Sequence, residues 1–339
     1  MSNSNSRIKR RKKKRKLKGI FRRILFLLLL ILLVVAGYFG YLFYKANNVA
    51  NQTYEEIDRS KIPNHRQEKI KVKEDPFTVL LIGVDDTEGG LGRSDVLMLV
   101  TVNPKTKDIS LISIPRDSRT YIPELGRKDK INHSYSNGGV TSTIETVTEM
   151  LDIPIDYYVT TNFQGFEDVV DSLGGITVDV PFTFKAQLTG SLKWKTYYEG
   201  KMELNGNEAL AYVRMRKSDP LGDFGRNERQ KEAVKEIVKK ATSLTSFTKI
   251  DNVLDDIGSN VKTNIPSREF LSFIQLYASL KDTEIQSIKL EGYDQTINSI
   301  YYFIPYEESI AQVHEEVDSI LNGTKHDINS TAEESFDSQ

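Results

Sequence analysis

Residues 24–44 form an unbroken run of 21 uncharged, mostly apolar side chains, ILFLLLLILLVVAGYFGYLFY. At ~1.5 Å per residue a helix of that length crosses the ~30 Å hydrocarbon layer of a bilayer. Just before it, residues 7–23 hold twelve of the chain's 46 Lys and Arg, and no Asp or Glu occurs before Glu55. A basic flank marks the cytoplasmic side of a span. The sequence therefore predicts a basic cytoplasmic tail (1–23), one transmembrane helix (24–44) and an external remainder. Tyr38, Tyr41 and Tyr44 crowd the outer end of the run, where amphipathic rings favour the interface. A cleaved secretory signal has a shorter apolar stretch, so the segment reads as an uncleaved, single-pass anchor in the cell membrane. Beside such a span the basic cluster is an orientation signal, and no nucleic-acid partner is expected.

At ~150 residues per domain, 339 residues allow one or two domains. A composition 39% hydrophobic and 27% charged supports a buried core. The absence of cysteine excludes disulfide scaffolds, thiolate metal sites and cysteine nucleophiles. The four histidines (His65, His133, His314 and His326) are too scattered for a short metal-binding motif.

Residues 45–75 are polar and punctuated by Pro63, with Pro76 just beyond, which reads as an extracellular stalk. Short apolar, β-branched runs at 77–84, 96–102 and 109–114 predict buried strands, with a turn at 103–106. Helices are expected at 141–151, from the Asn162 cap to Leu173, and at 207–214, 226–242, 268–280 and 307–321. Further strands are expected at 155–160, 176–180 and 285–290. This alternation predicts one α/β domain over 76–321, a central mixed sheet covered by helices. A disordered tail is expected at 322–339.

The chemistry-bearing side chains gather at the ends of predicted strands. Asp85 leaves the first strand and Arg93-Ser94-Asp95 enters the second, across a glycine-rich loop. Two carboxylates without a nearby histidine or cysteine suit a hard divalent ion such as Mg²⁺. Arg116 and Arg119 follow the third strand, Arg214 and Arg216 follow a predicted helix, and Arg226 and Gln230 share one face of the next. Any single arginine reads as a partner for one of the 47 carboxylates. The set reads as a polyanion site, because the guanidinium fork binds phosphate in bidentate fashion. No Gly-Lys-Ser/Thr follows the glycine loop and no Gly-x-Ser-x-Gly elbow accompanies His133-Ser134, which disfavours a Walker loop and a hydrolase triad. Trp194, Tyr197 and Tyr198 lie in a polar stretch, where aromatic faces suit a sugar, a lipid or ordinary packing.

Several of these segments, in order, resemble the LytR–CpsA–Psr family of cell-envelope proteins. They are Leu-Ile-Gly-Val-Asp ending at Asp85, Gly-Arg-Ser-Asp ending at Asp95, Ser-Ile-Pro-Arg-Asp around Arg116, Lys130-Ile131-Asn132-His133, Leu-Gly-Gly-Ile-Thr-Val-Asp-Val around Gly175, and residues 214–230. The resemblance implies a three-layer αβα fold and a Mg²⁺-dependent phosphotransferase in a Gram-positive type envelope. Such an enzyme takes an anionic glycopolymer linked through pyrophosphate to a polyprenyl lipid, a wall teichoic acid or capsular polysaccharide. It attaches the polymer to peptidoglycan. By position, Asp85 and Asp95 would hold Mg²⁺, and Arg93, Arg116, Arg119, Arg214, Arg216, Arg226 and Gln230 would bind the pyrophosphate. Asp95, Arg93 and Arg116 form the catalytic group, with Asp95 the candidate base. The segment 132–137, Asn-His-Ser-Tyr-Ser-Asn, departs from the Ala-then-aromatic pattern common in relatives. Two alternatives stay open at this point: a membrane-anchored transcriptional regulator, and a hydrolase of the same donor.

Overall fold

The computed structural model describes residues 51–86, 91–242, 260–280 and 283–324, with positions 41, 44, 45, 48 and 49 before them. The predicted tail at 1–23, nearly all of the predicted span at 24–44 and most of the predicted C-terminal tail lie outside the described residues. Among the described residues no helix is long and apolar enough to cross a membrane.

The centre is a six-stranded mixed sheet ordered β11 (Val261–Thr263), β6 (Tyr157–Asn162), β1 (Phe77–Asp85), β2 (Arg93–Asn103), β3 (Asp108–Ser113) and β12 (Ile285–Lys289). β1–β6 and β3–β12 are parallel pairs, and the other three pairings are antiparallel. The turn between β2 and β3 is where the sequence places it, with Asn103 Oδ1 accepting from the amides of Lys105 and Thr106.

Side chains alternate across a strand, so β1 has two different faces. Leu80, Ile82 and Val84 pack with Leu99 and Ile112 under α1 (His133–Leu151) and α6 (Glu307–Asn322). Phe77 and Val79 face the other way, onto α5 (Ser267–Leu280), where Phe77, Tyr157 and Phe273 meet edge to face at 5.3–5.7 Å. Each fully buried aliphatic side chain here stabilises the fold by ~1.5–3 kcal/mol.

A second apolar cluster is built from α2 (Phe163–Ser172), α3 (Gly206–Arg214), α4 (Asp223–Thr242), the ladder of β7 (Ile176–Val180) with β10 (Gly200–Leu204), and the hairpin of β8 (Phe184–Gln187) with β9 (Trp194–Tyr197). Asn162 caps α2 through the Gly165 amide, as its position predicts. Asn205 and Glu208 form a capping box on α3. Two further hairpins, β4 (Arg119–Ile122) with β5 (Arg127–Lys130), and β13 (Gly292–Ile297) with β14 (Ile300–Pro305), complete the unit.

Two expectations need correction. Residues 51–75 are no free stalk: Ile57 and Ile62 enter the core under the sheet, and Val72 packs in the Phe77 cluster. Tyr54 bridges to Thr263, and the Tyr158 hydroxyl donates to the Glu55 carbonyl. The isolated aliphatic residues of that segment are spaced too widely to give a periodic signal. The helix expected at 141–151 begins at His133 and breaks at Gly138 and Gly139, the latter at φ +62°. Of the eight strands in the four smaller pairings the sequence predicts only β7, at 176–180; the others are short, and several are mostly polar.

Candidate functional site

The site grows from an irregularity in the β1–β2 ladder. Gly83 faces Val96, but Val84 faces Ser94, so Asp95 is the extra residue of a β-bulge. Bulges re-aim side chains, and both Asp95 and Val96 line a cavity of about 1260 Å³ between this sheet face and the second cluster. Gly83 forms part of its floor, where a Cβ would come within 2.9 Å of the Val96 Cβ. The remaining wall is mainly apolar: Leu81 and Met98 from the sheet, Phe166 and Val169 from α2, Val234 and Ile237 from α4.

Arginines from three places gather on this cavity. Arg116 arrives on the loop leaving β3 and donates from Nη1 to Asp95 Oδ2 at 2.7 Å. Arg214 closes α3, with its guanidinium 4.1 Å from the Phe163 ring centroid and 3.7 Å from Asp85 Oδ2. Arg216 follows after the extended Met215. Arg226 and Gln230 enter from one face of α4, and all of these arginines line the cavity with Gln230. Asp223 ties two of them together, with Arg216 Nε at 2.7 Å from Oδ1 and Arg226 Nη2 at 3.4 Å from Oδ2.

Arg226 is 7% exposed, and burial pushes its guanidinium below the usual arginine range; Asp223 opposes this, and Arg116 adds to it. The buried Nε atoms of Arg116 and Arg226 have no hydrogen-bond partner among the described residues. Buried donors left unsatisfied are uncommon, because the desolvation cost goes uncompensated. Two such donors among converging cations make a receptor for an anion rich in acceptor oxygens.

Three predicted residues stand apart from the cavity lining. Arg93 is exposed and pairs across the ladder with Asp85, which reaches the cluster through Arg214. Arg119 lies on β4 with its guanidinium over the Tyr302 ring. A smaller cavity of about 210 Å³ shares Arg216 and is lined by Asp117, Asn227, Asp294, Tyr301 and Phe303.

The sequence reading missed Arg229. It is buried beneath the 214–219 segment, donates to the Tyr212 and Met215 carbonyls, pairs with Asp219, and lies over the Phe184 and Tyr212 rings. It holds the chain that carries Arg214 and Arg216. Gly225 belongs to the same arrangement, since a Cβ there would collide with the Asp219 carboxylate. The pair of Lys130 Nζ with Asp117 Oδ1 at 2.7 Å was also missed.

Comparison with known families matches residues 40–319 to the LytR_cpsA_psr family. The chain belongs to this family. A family relative in Bacillus subtilis (strain 168), named polyisoprenyl-teichoic acid–peptidoglycan teichoic acid transferase TagV, is 41% identical over 312 residues, covering 90% of this chain and 80% of TagV. The crystal structure of B. subtilis TagV aligns with a TM-score of 0.66, covering 74% of this chain and 98% of that one. The structure of the LytR-CPS2A-psr family protein YwtF (TagT), a B. subtilis protein, with bound octaprenyl pyrophosphate lipid is 33% identical. It aligns with a TM-score of 0.62, covering 79% of this chain and 100% of that chain.

Proposed function

We propose that this protein is a phosphotransferase that moves an anionic glycopolymer, a wall teichoic acid or a capsular polysaccharide, from a polyprenyl-pyrophosphate carrier onto peptidoglycan. The observation that carries the reading is the pair of buried guanidinium Nε atoms, of Arg116 and Arg226, that have no hydrogen-bond partner among the described residues beside a mainly apolar cavity, with Asp117 Oδ2 3.7 Å from the first. A diphosphate joined to a hydrocarbon chain matches both halves of that arrangement. The curated relative is named for this transfer, and a structural relative holds an octaprenyl pyrophosphate.

In this reading the prenyl chain lies against Leu81, Met98, Phe166 and Val169, and the diphosphate meets Arg116, Arg214, Arg216, Arg226 and Gln230. A peptidoglycan hydroxyl approaches by way of the smaller cavity beside Arg216. Its oxygen attacks the phosphorus that carries the glycan, and the bond from that phosphorus to the bridging oxygen breaks. Polyprenyl phosphate leaves, and the proton of the hydroxyl passes to Asp95. Negative charge grows on the bridging and non-bridging oxygens, and preorganised guanidinium groups stabilise it at low reorganisation cost. Arg93 and Arg119, outside the cavity lining, supply longer-range positive potential.

Two carboxylates at neighbouring strand ends fit Mg²⁺, an ion that binds through one or two carboxylates together with substrate phosphates. Among the described residues no cluster of three or more His, Asp or Glu would hold a metal alone. Asp85 and Asp95 would thus hold Mg²⁺ jointly with the diphosphate, and the ion would neutralise charge on its oxygens. The protein is placed in the cell membrane with its N-terminus cytoplasmic, its basic tail and apolar run supporting that orientation.

The test is transfer of labelled glycan phosphate from the lipid carrier to peptidoglycan by the purified full chain. Wall-linked label is expected. Free polymer alone would identify a hydrolase, and no consumption of the donor would sink the reading.

A further inference from the structure

The β8–β9 hairpin carries features that the transfer chemistry does not use. Its tip exposes Leu192 at 91% and Trp194 at 65%, although both also border the large cavity. Apolar side chains so exposed at a hairpin tip gain nothing from the fold. Residues 185–195 contain Lys185, Lys193 and Lys195 and no carboxylate. Lys195 turns inward to Glu208 at 2.5 Å, whereas Lys185 and Lys193 are exposed. In the ladder Gln187 faces Trp194 and Lys185 faces Thr196, so Lys185 shares the face of Trp194. Arg214 Nη1 lies 3.5 Å from Thr189 Oγ1, which sets the hairpin beside the arginine cluster.

We infer that this tip is a membrane-contact element: Leu192 and Trp194 enter the headgroup region of an anionic bilayer, and Lys185 and Lys193 meet its phosphates. An exposed tryptophan and leucine flanked by lysines is the composition that partitions into such an interface. The inference rests on the transferase reading for its purpose: a donor whose diphosphate sits at headgroup level and whose tail must leave the bilayer reaches the cavity without crossing water when the rim touches the membrane.

Trp194 is the only tryptophan in the chain, so its fluorescence reports this contact without labelling. The full chain is reconstituted into vesicles of phosphatidylcholine and phosphatidylglycerol, without donor, with or without lipids brominated near the headgroup end of their acyl chains. Loss of Trp194 emission to bromine is expected, as for an interfacial tryptophan. That loss should shrink in Leu192→Glu and in Lys193→Glu, and in vesicles lacking phosphatidylglycerol. Emission indifferent to bromine and fully open to an aqueous quencher would overturn the inference. So would quenching unchanged by Leu192→Glu, Lys193→Glu and lipid charge, which would mark a lipid in the cavity, or a response to soluble peptidoglycan fragments alone. Unquenched Trp194 in a preparation that transfers glycopolymer normally sinks the membrane contact and spares the transferase. Quenching in a preparation that never consumes donor does the reverse.

Discussion

Arg116 reaches from the loop after β3 to the bulge of β2 and holds Asp95 Oδ2 at 2.7 Å, joining the cation of one strand end to the anion of the next. The contact leaves the Arg116 Nε without a hydrogen-bond partner among the described residues. Arg116→Ala is therefore expected to lower transfer by ~100-fold or more, the usual loss when one preorganised donor to a developing anion is removed. Arg116→Lys retains a charge without the planar fork and should recover only part of it. Kinetics on variants with wild-type melting temperatures decide this; near-normal rates would remove Arg116 from the site.

Arg229 acts through other residues. Its guanidinium is 2% exposed and paired with Asp219, which is 1% exposed, so Arg229→Ala strands a buried carboxylate. Breaking a buried pair in this way costs ~3–5 kcal/mol, to be read from denaturant unfolding. Arg229→Lys should fold better yet bind the lipid diphosphate more weakly, because the segment bearing Arg214 and Arg216 loses its clamp.

Filling the apolar cavity separates tail recognition from chemistry. Val169→Trp places a large ring where the prenyl chain is proposed to lie. The KM for a long-chain donor should rise by ~10–100-fold, the range for a hydrophobic-pocket mismatch, while a short-chain donor is affected little. Equal effects on both donors would place the tail elsewhere.

Removal of divalent metal by a chelator is expected to abolish most transfer, with Mg²⁺ restoring it. Asp85→Asn and Asp95→Asn should each raise the Mg²⁺ concentration needed for half-maximal rate. Full activity in chelator would exclude the two-carboxylate role.

Glu232 on α4 accepts from the Asp179 amide at 2.5 Å and the Tyr212 hydroxyl at 2.8 Å, and burial holds its carboxyl above the usual 4.5. The folded chain binds this proton more tightly than the unfolded chain. Its contribution to stability therefore falls as pH rises from 4.5 through the raised folded value, and is level above that. Glu232→Gln keeps an acceptor for the Asp179 amide and removes the slope. Its melting temperature should exceed that of the wild type at neutral pH, with the gap closing in acid; a gap independent of pH would contradict this.

What the sequence disclosed follows from how local each signal is. The run around Leu80 and Ile82 is continuous and apolar because β1 is covered on both faces, so it announces itself. Arg226 and Gln230 are legible as a pair because one helix carries both. The meeting of Arg116, Arg214 and Arg226 is a tertiary fact; motif resemblance grouped them, whereas spacing alone did not. Nothing local marks Asp95 as a bulge residue, or distinguishes the positioning arginine, Arg229, from the other polar residues of its helix. Residues 51–75 were misread for the opposite reason: Ile57, Ile62 and Val72 are buried singly, and a polar average hides them.

Convergence of these side chains on a diphosphate is tested most directly by a crystal structure of the protein with a polyprenyl pyrophosphate. Phosphate oxygens within hydrogen-bond distance of Arg116 Nε and Arg226 Nε, with the prenyl chain between Leu81 and Val169, are the expected result. A diphosphate bound on the Arg119 face, or an apolar cavity left without the chain, would contradict it.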